Sequence, residues 1–238
     1  MYIRLKGTDN MSIVNYEYIK RNKDIQTYID HADAALSSIG YTEHSNAHVE
    51  RSASIAYMVL STLGYDERQC ELARIAAYMH DIGNVVNRTD HAHSGALMAF
   101  RLLDKLGMPA EEIAVIVSAI GNHDEKTAAP VNPVAAAVII ADKSDVRRSR
   151  VRFAGSVSKD EMIDKDDIHD RVNYAVEKSD IYFSEDKKTL ILDLVIDLDI
   201  CSIMDYFEIF LGRMSLCRNS AKTLGVDFSV VINGSKIL

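Results

Sequence analysis

A histidine and an aspartate stand side by side at His80-Asp81, at the end of an apolar run with helical periodicity. Leu72, Ile75 and Met79 recur at the spacing of one helix face, so this helix is expected to turn that face toward a hydrophobic core. Buried polar and charged groups need partners, and imidazole and carboxylate groups are common ligands of divalent metals. The sequence therefore predicts that His80 and Asp81 bind metal and lie at the catalytic centre.

Further candidate ligands lie far away in sequence, each in or at the end of a predicted helix with an apolar face. The full set of candidate metal ligands is His48, His80, Asp81, His91, His123 and Asp142. Imidazole and carboxylate ligands suit Fe, Mn, Zn or similar ions better than Ca or thiolate-seeking metals. A carboxylate such as Asp81 is able to bridge two ions, so the pattern predicts one or two bound ions.

The elements that must position these residues are mainly helical. Periodicity and end signals predict helices over residues 13–38, 46–63, 66–80, 90–106, 110–123 and 133–142. Asp90 is the expected N-cap of the fourth helix, and the sixth is apolar enough to be buried nearly all round. After a polar linker over 155–170, the patterns predict a short helix at 168–177, strands at 181–183, 190–198 and 228–232, and a helix at 202–224. Lys187-Lys188 is the expected hairpin turn, and the tail is expected to form a small α+β appendage on a mainly α body.

Composition narrows the class of protein. The chain has 238 residues, 47% of them hydrophobic, and a formal net charge of −8, which argues against long nucleic acid as the partner. No apolar run approaches the roughly 20 residues needed to cross a bilayer, and residues 1–7 lack signal-peptide character. We therefore expect a cytoplasmic protein without membrane contact. Cys70, Cys201 and Cys217 predict buried reduced thiols rather than disulfides or a thiolate metal site.

A basic run follows Asp142, with five lysines and arginines between residues 143 and 152. Such a run is typical of a solvated helix face or of an anion-binding surface, and both interpretations stay open. His44 lies four residues before His48 and would share its helix face. The candidate substrate-binding residues are Lys143, Arg147, Arg148, Asn84 and His44.

The ordered set of candidate ligands resembles the motifs of the HD-domain metal-dependent phosphohydrolases, whose defining pattern is H…HD…D. The matching segments are His48-Val49-Glu50-Arg51, His80-Asp81-Ile82-Gly83, His91-Ala92-His93-Ser94-Gly95, Ala119-Ile120-Gly121-Asn122-His123 and Ile140-Ala141-Asp142-Lys143. The third segment resembles the H-x-x-x-G element of two-metal members, which favours His91 over His93 as a ligand. The resemblance covers about residues 45–150.

The resemblance has limits within the superfamily. The cyclic-di-GMP phosphodiesterase branch carries HDIGK, HHE and GYP signatures, whereas this chain has Asn84 in place of the lysine, Asn122-His123-Asp124 near the HHE position, and no GYP afterwards. That activity is therefore not expected. The diadenosine-polyphosphate hydrolase branch is more similar. The appendage has no recognised counterpart, and the predicted units are an N-terminal helical segment at 1–44, an HD core at 45–154 and an α+β subdomain at 155–238.

The resemblance implies a phosphohydrolase that cleaves a phosphoester or phosphoanhydride of a small nucleotide-like substrate with a metal-activated water. The first ion would be held by His48, His80, Asp81 and Asp142, and the second by Asp81, His91 and His123. Iron or manganese is favoured, with Mg, Co, Ni or Zn open. Two alternatives remain, an HD-fold di-iron oxygenase and a catalytically silent, metal-braced sensor. A homodimer, the substrate and the appendage's role are left open.

Overall fold

The structure, a computed structural model, describes residues 14–152, 158–163 and 168–237. The helices are α1 Tyr16–Arg21, α2 Lys23–Ser38, α3 Asn46–Thr62, α4 Glu67–Met79, α5 His91–Lys105, α6 Ala110–Gly121, α7 Pro133–Lys143, α8 Lys159–Ile163, α9 Ile168–Ala175 and α10 Ile203–Thr223. The strands are β1 Val176–Phe183, β2 Thr189–Ile196, β3 Asp227–Ile232 and β4 Ser235–Lys236. Two short 3-10 turns lie at Ile82–Val85 and Arg148–Arg150.

Helix α7 is the centre of the helical body. Its residues 134–141, all Ala, Val or Ile, are buried, as the apolar composition predicted. It packs against α3, α4, α6 and α10, and its small alanine side chains permit these neighbours to approach closely. The helix that carries Asp142 is therefore fixed from several sides, which places that residue at the end of a rigid element.

Side-chain caps determine where several helices begin. The side chains of Ser45, Asp66 and Asn132 accept hydrogen bonds from backbone amides in the first turns of α3, α4 and α7. The single helix predicted over 13–38 is instead two helices, because Asn22 is extended and its side chain caps α2; residue 13 itself lies outside the described residues. Asp90 does precede α5, as predicted, but it does not cap the helix with its side chain. Its backbone is left-handed, with φ of 58°, and its side chain makes no cap hydrogen bond.

The C-terminal residues form a strand-strand-helix-strand unit with a short fourth strand. Strands β1 and β2 are an antiparallel hairpin, and Lys187 in the predicted turn has a left-handed φ of 58°. Helix α10 connects β2 to β3, which pair in parallel, and β4 pairs antiparallel with β3. The prediction of a mainly α fold with a small α+β appendage is confirmed, although β1 begins at Val176 rather than 181 and β4 was not predicted.

The appendage shares its core with the helical body. Alternate β2 residues from Leu190 to Ile196 are buried, and α10 packs against both β3 and α7. The unit boundaries at 44/45 and 154/155 stay predictions, and parts of the predicted 155–170 linker, at 155–157 and 164–167, lie outside the described residues. Cys70, Cys201 and Cys217 are buried free thiols, as predicted. Among the helices of the described segments, none has the length and apolarity to cross a bilayer.

Candidate metal centre

Five helices deliver the six predicted ligands to one point. His48 lies in the first turn of α3, His80 and Asp81 follow α4, His91 begins α5, His123 follows α6, and Asp142 lies in the last turn of α7. The four histidines are at most 2% exposed and Asp81 is 5% exposed. Their buried nitrogens and oxygens need polar or metal partners, because apolar neighbours cannot replace the water that they lose. The structure thus brings together all six residues that the sequence singled out.

Three of the histidines are oriented by the same kind of hydrogen bond to a backbone carbonyl. His80, His91 and His123 place Nδ1 at 2.7, 3.0 and 2.6 Å from the carbonyl oxygen three residues earlier. A carbonyl has no proton to give, so Nδ1–H is the donor and Nε2 is the nitrogen left to face the centre. In all three residues the backbone therefore turns Nε2 toward the same centre.

His48 is oriented by a carboxylate that the sequence analysis missed. Its Nδ1 donates to Asp145 Oδ2 at 2.7 Å, and Asp145 is completely buried. Arg51 Nε lies 3.1 Å and Arg147 Nε 2.8 Å from Asp145 Oδ1, which balances the buried charge. A carboxylate behind a ligand histidine fixes its tautomer and the orientation of its ring. Its position three residues after Asp142 was the only available signal.

Asp81 divides the site into two adjoining halves. Its Oδ2 lies 3.1 Å from His80 Nε2 and 3.7 Å from His48 Nε2. Its Oδ1 lies 3.5 Å from His91 Nε2 and 3.9 Å from His123 Nε2. One carboxylate therefore presents a different oxygen to each pair of imidazoles, which is the arrangement a bridging ligand needs.

Asp142 completes the first half of the site, and Asn84 holds the Asp81 carboxylate in place. Asp142 Oδ1 lies 3.5 Å from His48 Nε2 and 3.7 Å from His80 Nε2. Asn84, a predicted substrate-binding residue, is buried and donates from Nδ2 to Asp81 Oδ1 at 2.8 Å. The structure therefore places Asn84 behind the Asp81 carboxylate.

Burial and neighbouring charges set the protonation states of these groups. Burial lowers the pKa of His91 and holds the pKa of His123 well below its ordinary value, so both are neutral. Burial opposes ionisation of Asp81, but the adjacent His80 keeps its pKa well below the usual range. Burial also opposes protonation of His80, yet the two carboxylates beside it raise its pKa to about 10. Binding a cation would therefore displace a proton from His80.

The donor set fits divalent transition metals. Four imidazole nitrogens and two carboxylates converge without a thiolate, and subsets such as His48, His80 and Asp142 place their ligand atoms within 4.8 Å of one another. Two groups of donors joined by Asp81 have the composition of a two-ion centre.

A cavity of about 370 Å³ opens onto this centre. Lys143 lines it and lies 2.7 Å from Asp142 Oδ2, and His44 lines it from the segment before α3. Three further cationic residues lie in the wall that were not among the predicted substrate-binding residues, although Arg150 belongs to the basic run: Arg88, Arg150 and Arg213. Their signal is weak because they come from three separate segments of the chain.

Arg147 and Arg148, both predicted to bind substrate, are not among the cavity residues. Arg147 is engaged by Asp145, whereas Arg148 Nε donates to the Tyr174 carbonyl at 2.6 Å and its guanidinium lies over the Tyr174 ring. The structure thus uses most of the basic run to hold neighbouring segments together. Of the paired histidines near the start of α5, His93 is exposed and lies outside the site.

Comparison with known proteins identifies the segment that carries the site. Residues 47–147 match the family model of the HD domain. An uncharacterized protein of Methanocaldococcus jannaschii is 25% identical over 160 residues, covering 58% of this chain and 61% of that protein, so the chain spans less than two thirds of this relative's length. The crystal structure of a predicted HD superfamily hydrolase from an uncultured Thermotogales bacterium is similar with a TM-score of 0.43 and 24% identity, over 55% of this chain and 73% of that one. The matched family segment contains all six candidate ligands.

Proposed function

Residues 47–147 belong to the HD-domain family, and from this premise we propose that the protein is a metal-dependent hydrolase that cleaves a phosphoester or phosphoanhydride of a small nucleotide-like molecule. The observation that carries the proposal is a set of four imidazoles and two carboxylates, all buried except the partly exposed Asp142, at the base of a cavity with cationic side chains in its wall. A set of this composition suits Mn²⁺ or Fe²⁺, and the cations suit an anionic substrate.

His48, His80, Asp81 and Asp142 would hold one ion, and Asp81, His91 and His123 would hold a second. When bound, divalent ions lower the pKa of a coordinated water and offset negative charge on phosphoryl oxygens. The backbone carbonyls and Asp145 keep the imidazoles in the required tautomer throughout. The chain thus supplies a fixed ligand frame that needs little rearrangement on binding.

Two cationic residues are placed to hold the reacting phosphoryl group. Arg88 donates from Nη1 to Asn84 Oδ1 at 3.2 Å, and the same nitrogen lies 3.9 Å from Asp81 Oδ1. Lys143 is 7% exposed and lies beside Asp142 on the other side of the centre. Fixed cations in a desolvated site stabilise the charge that spreads over equatorial oxygens during phosphoryl transfer.

The proposal is tested with purified full-length protein, prepared without oxygen and supplied with Mn²⁺ or Fe²⁺. A panel of nucleotides and chromogenic phosphoesters should release phosphate, and Asp81→Asn should remove this activity. The matched control is His93→Ala, because His93 is exposed and stands two residues from the ligand His91. No turnover across the panel with either of these ions, or with Mg²⁺, Co²⁺, Ni²⁺ or Zn²⁺ in their place, would overturn the proposal.

Two further readouts separate hydrolysis from the alternative chemistries. Hydrolysis in ¹⁸O-labelled water puts the label into the released phosphate or the other cleavage product, and it consumes no oxygen. A di-iron oxygenase would instead consume dioxygen with a polyol substrate. A silent sensor would bind metal through the same ligands but turn over neither class of substrate.

A further inference from the structure

The C-terminal subdomain, defined as residues 158–163 and 168–237, contributes to the wall of the metal cavity. Helix α9 supplies Asn173 and helix α10 supplies Arg213. Helix α10 packs directly on α7, the helix that ends with Asp142 and Lys143. The subdomain is therefore part of the cavity.

Arg213 is held in a defined orientation. Its Nε donates to Glu125 Oε2 at 3.0 Å, and its guanidinium carbon lies 4.6 Å from the centroid of the Phe210 ring. Its side chain is 25% exposed. Within the described residues, no protein hydrogen bond occupies its Nη1 and Nη2 atoms. An oriented guanidinium with two open nitrogens is suited to bidentate recognition of an oxyanion.

Glu125 links this arginine to the metal centre. It lies two residues after the ligand His123, and its Oε1 is so close to Gly212 that a Cβ there would be 3.2 Å away. A side chain at Gly212 would therefore crowd the carboxylate that holds Arg213. The pairing joins the end of α6 to α10 across the cavity rim.

The charge balance of the cavity indicates what the open guanidinium would bind. Its wall contains equal numbers of cationic and carboxylate side chains, four of each. Two divalent ions would therefore leave the cavity strongly positive. One phosphate carries at most about two negative charges near neutral pH, which leaves part of this excess uncompensated.

We propose that the C-terminal subdomain determines substrate specificity and that Arg213 binds a second phosphate group of the substrate, distinct from the phosphoryl group beside Asp81. The preferred substrates are then compounds with at least two phosphates, such as nucleoside di- or triphosphates. This inference rests on the proposed function for the identity of the first phosphate. Glu125 is the positioning residue for the guanidinium.

The test compares two non-hydrolysable probes that differ by one anionic group, methylphosphonate and methylenediphosphonate. Their dissociation constants are measured by calorimetry on the Mn²⁺-loaded protein and on Arg213→Met. Loss of a charge-assisted hydrogen-bonded contact in Arg213→Met should weaken the binding of methylenediphosphonate about ten-fold or more. The binding of methylphosphonate should weaken by less than about two-fold. Arg213→Lys, which keeps the charge but not the fork, should fall between the two proteins.

Arg218→Met is the matched control, because Arg218 is exposed on the same helix. Thermal melting of each variant confirms that it is folded at the assay temperature. Equal losses for both probes, or the same loss in the control, would overturn the inference. Metal-dependent phosphate release without probe discrimination would reject it and leave the proposed function standing, whereas probe discrimination without any turnover would reject the hydrolase and retain the two-phosphate site.

Discussion

Replacing Gly83 with alanine should disrupt the connection between the His80-Asp81 segment and α5. Gly83 lies in the buried 3-10 turn that follows Asp81. A Cβ at this position would lie 2.0 Å from the His91 carbonyl oxygen and 2.4 Å from the Gly95 amide nitrogen. Real Cβ contacts are essentially never shorter than 3.0 Å, so the two backbone segments must separate by roughly 1 Å. Because His91 opens α5, this separation displaces a ligand as well as a packing contact.

The expected size of the effect follows from the kind of atoms involved. Overpacking a well-ordered core usually costs about 1–3 kcal/mol, and a clash with backbone belongs at the upper end, so we expect about 3 kcal/mol or more for Gly83→Ala. For a chain of this size, that corresponds to a fall in Tm of about 6–12 °C. Mn²⁺ affinity should fall too, since one imidazole of the second half moves.

Gly95→Ala is the matched control for this substitution. Its Cβ would meet the His80 carbonyl oxygen at 3.2 Å and the Gly83 nitrogen at 3.3 Å, contacts that need only a few tenths of an ångström of adjustment. Alanine also favours helix over glycine by about 1 kcal/mol, so the net change should stay within about 1 kcal/mol of wild type. Urea unfolding and Mn²⁺ titration measure both quantities. Wild-type stability and metal affinity in Gly83→Ala would refute the close-approach argument.

Three further perturbations test separate parts of the site. Asp145→Asn removes the carboxylate behind His48, and Mn²⁺ affinity measured by calorimetry should fall about 10–100-fold; an unchanged affinity would exclude the orienting role. Burial holds the pKa of His44 well below its ordinary value. Below pH 6.5 the unfolded chain therefore takes up a proton that the folded chain does not, so the free energy of unfolding decreases as the pH is lowered. His44→Gln should therefore lose less stability than wild type as the pH is lowered from 6.5 to about 5 in urea unfolding, and identical pH slopes would contradict this. Arg148→Ala should leave KM unchanged because its guanidinium contacts Tyr174 outside the cavity, and a several-fold rise in KM would return Arg148 to the substrate site.

Much of the metal centre was predictable because each ligand lies at a place that sequence patterns mark well. Apolar periodicity identifies the core-facing side of α4, and His80 and Asp81 follow that face directly. The same signal marks α6 before His123 and α7 before Asp142. Since helix ends in one bundle meet at few places, ordered ligands at helix ends predict a shared centre.

The substrate side of the cavity was less predictable, because some arginines line the cavity whereas others bind backbone carbonyls elsewhere, and the sequence does not distinguish the two groups. Arg150 and Arg152 belong to one basic run, yet their Nε atoms donate to the carbonyls of Glu43 and Tyr41, at 3.0 and 2.8 Å, and so hold the segment before α3. Arg213 shows no local pattern that separates it from other helical arginines. Its role depends on the packing of α10 against α7, which a single sequence does not encode in any local signal.

Local geometry explains the errors in the predicted elements. Asn22 satisfies backbone donors of α2, and this competes with continuation of α1 into a single long helix. Asp90 adopts the left-handed conformation, which prevents its side chain from reaching the first amides of α5. Both outcomes depend on one residue's backbone angles, a level of detail that apolar periodicity does not report.

The most direct test of the central claim is the number and coupling of Mn²⁺ ions bound by the metal-free protein. Titration followed by electron paramagnetic resonance should show two ions per chain with an exchange-coupled signal, because Asp81 presents one oxygen to each pair of imidazoles. Asp81→Asn should abolish the coupling. A single uncoupled ion, or coupling that survives in the variant, would contradict the bridged two-ion centre.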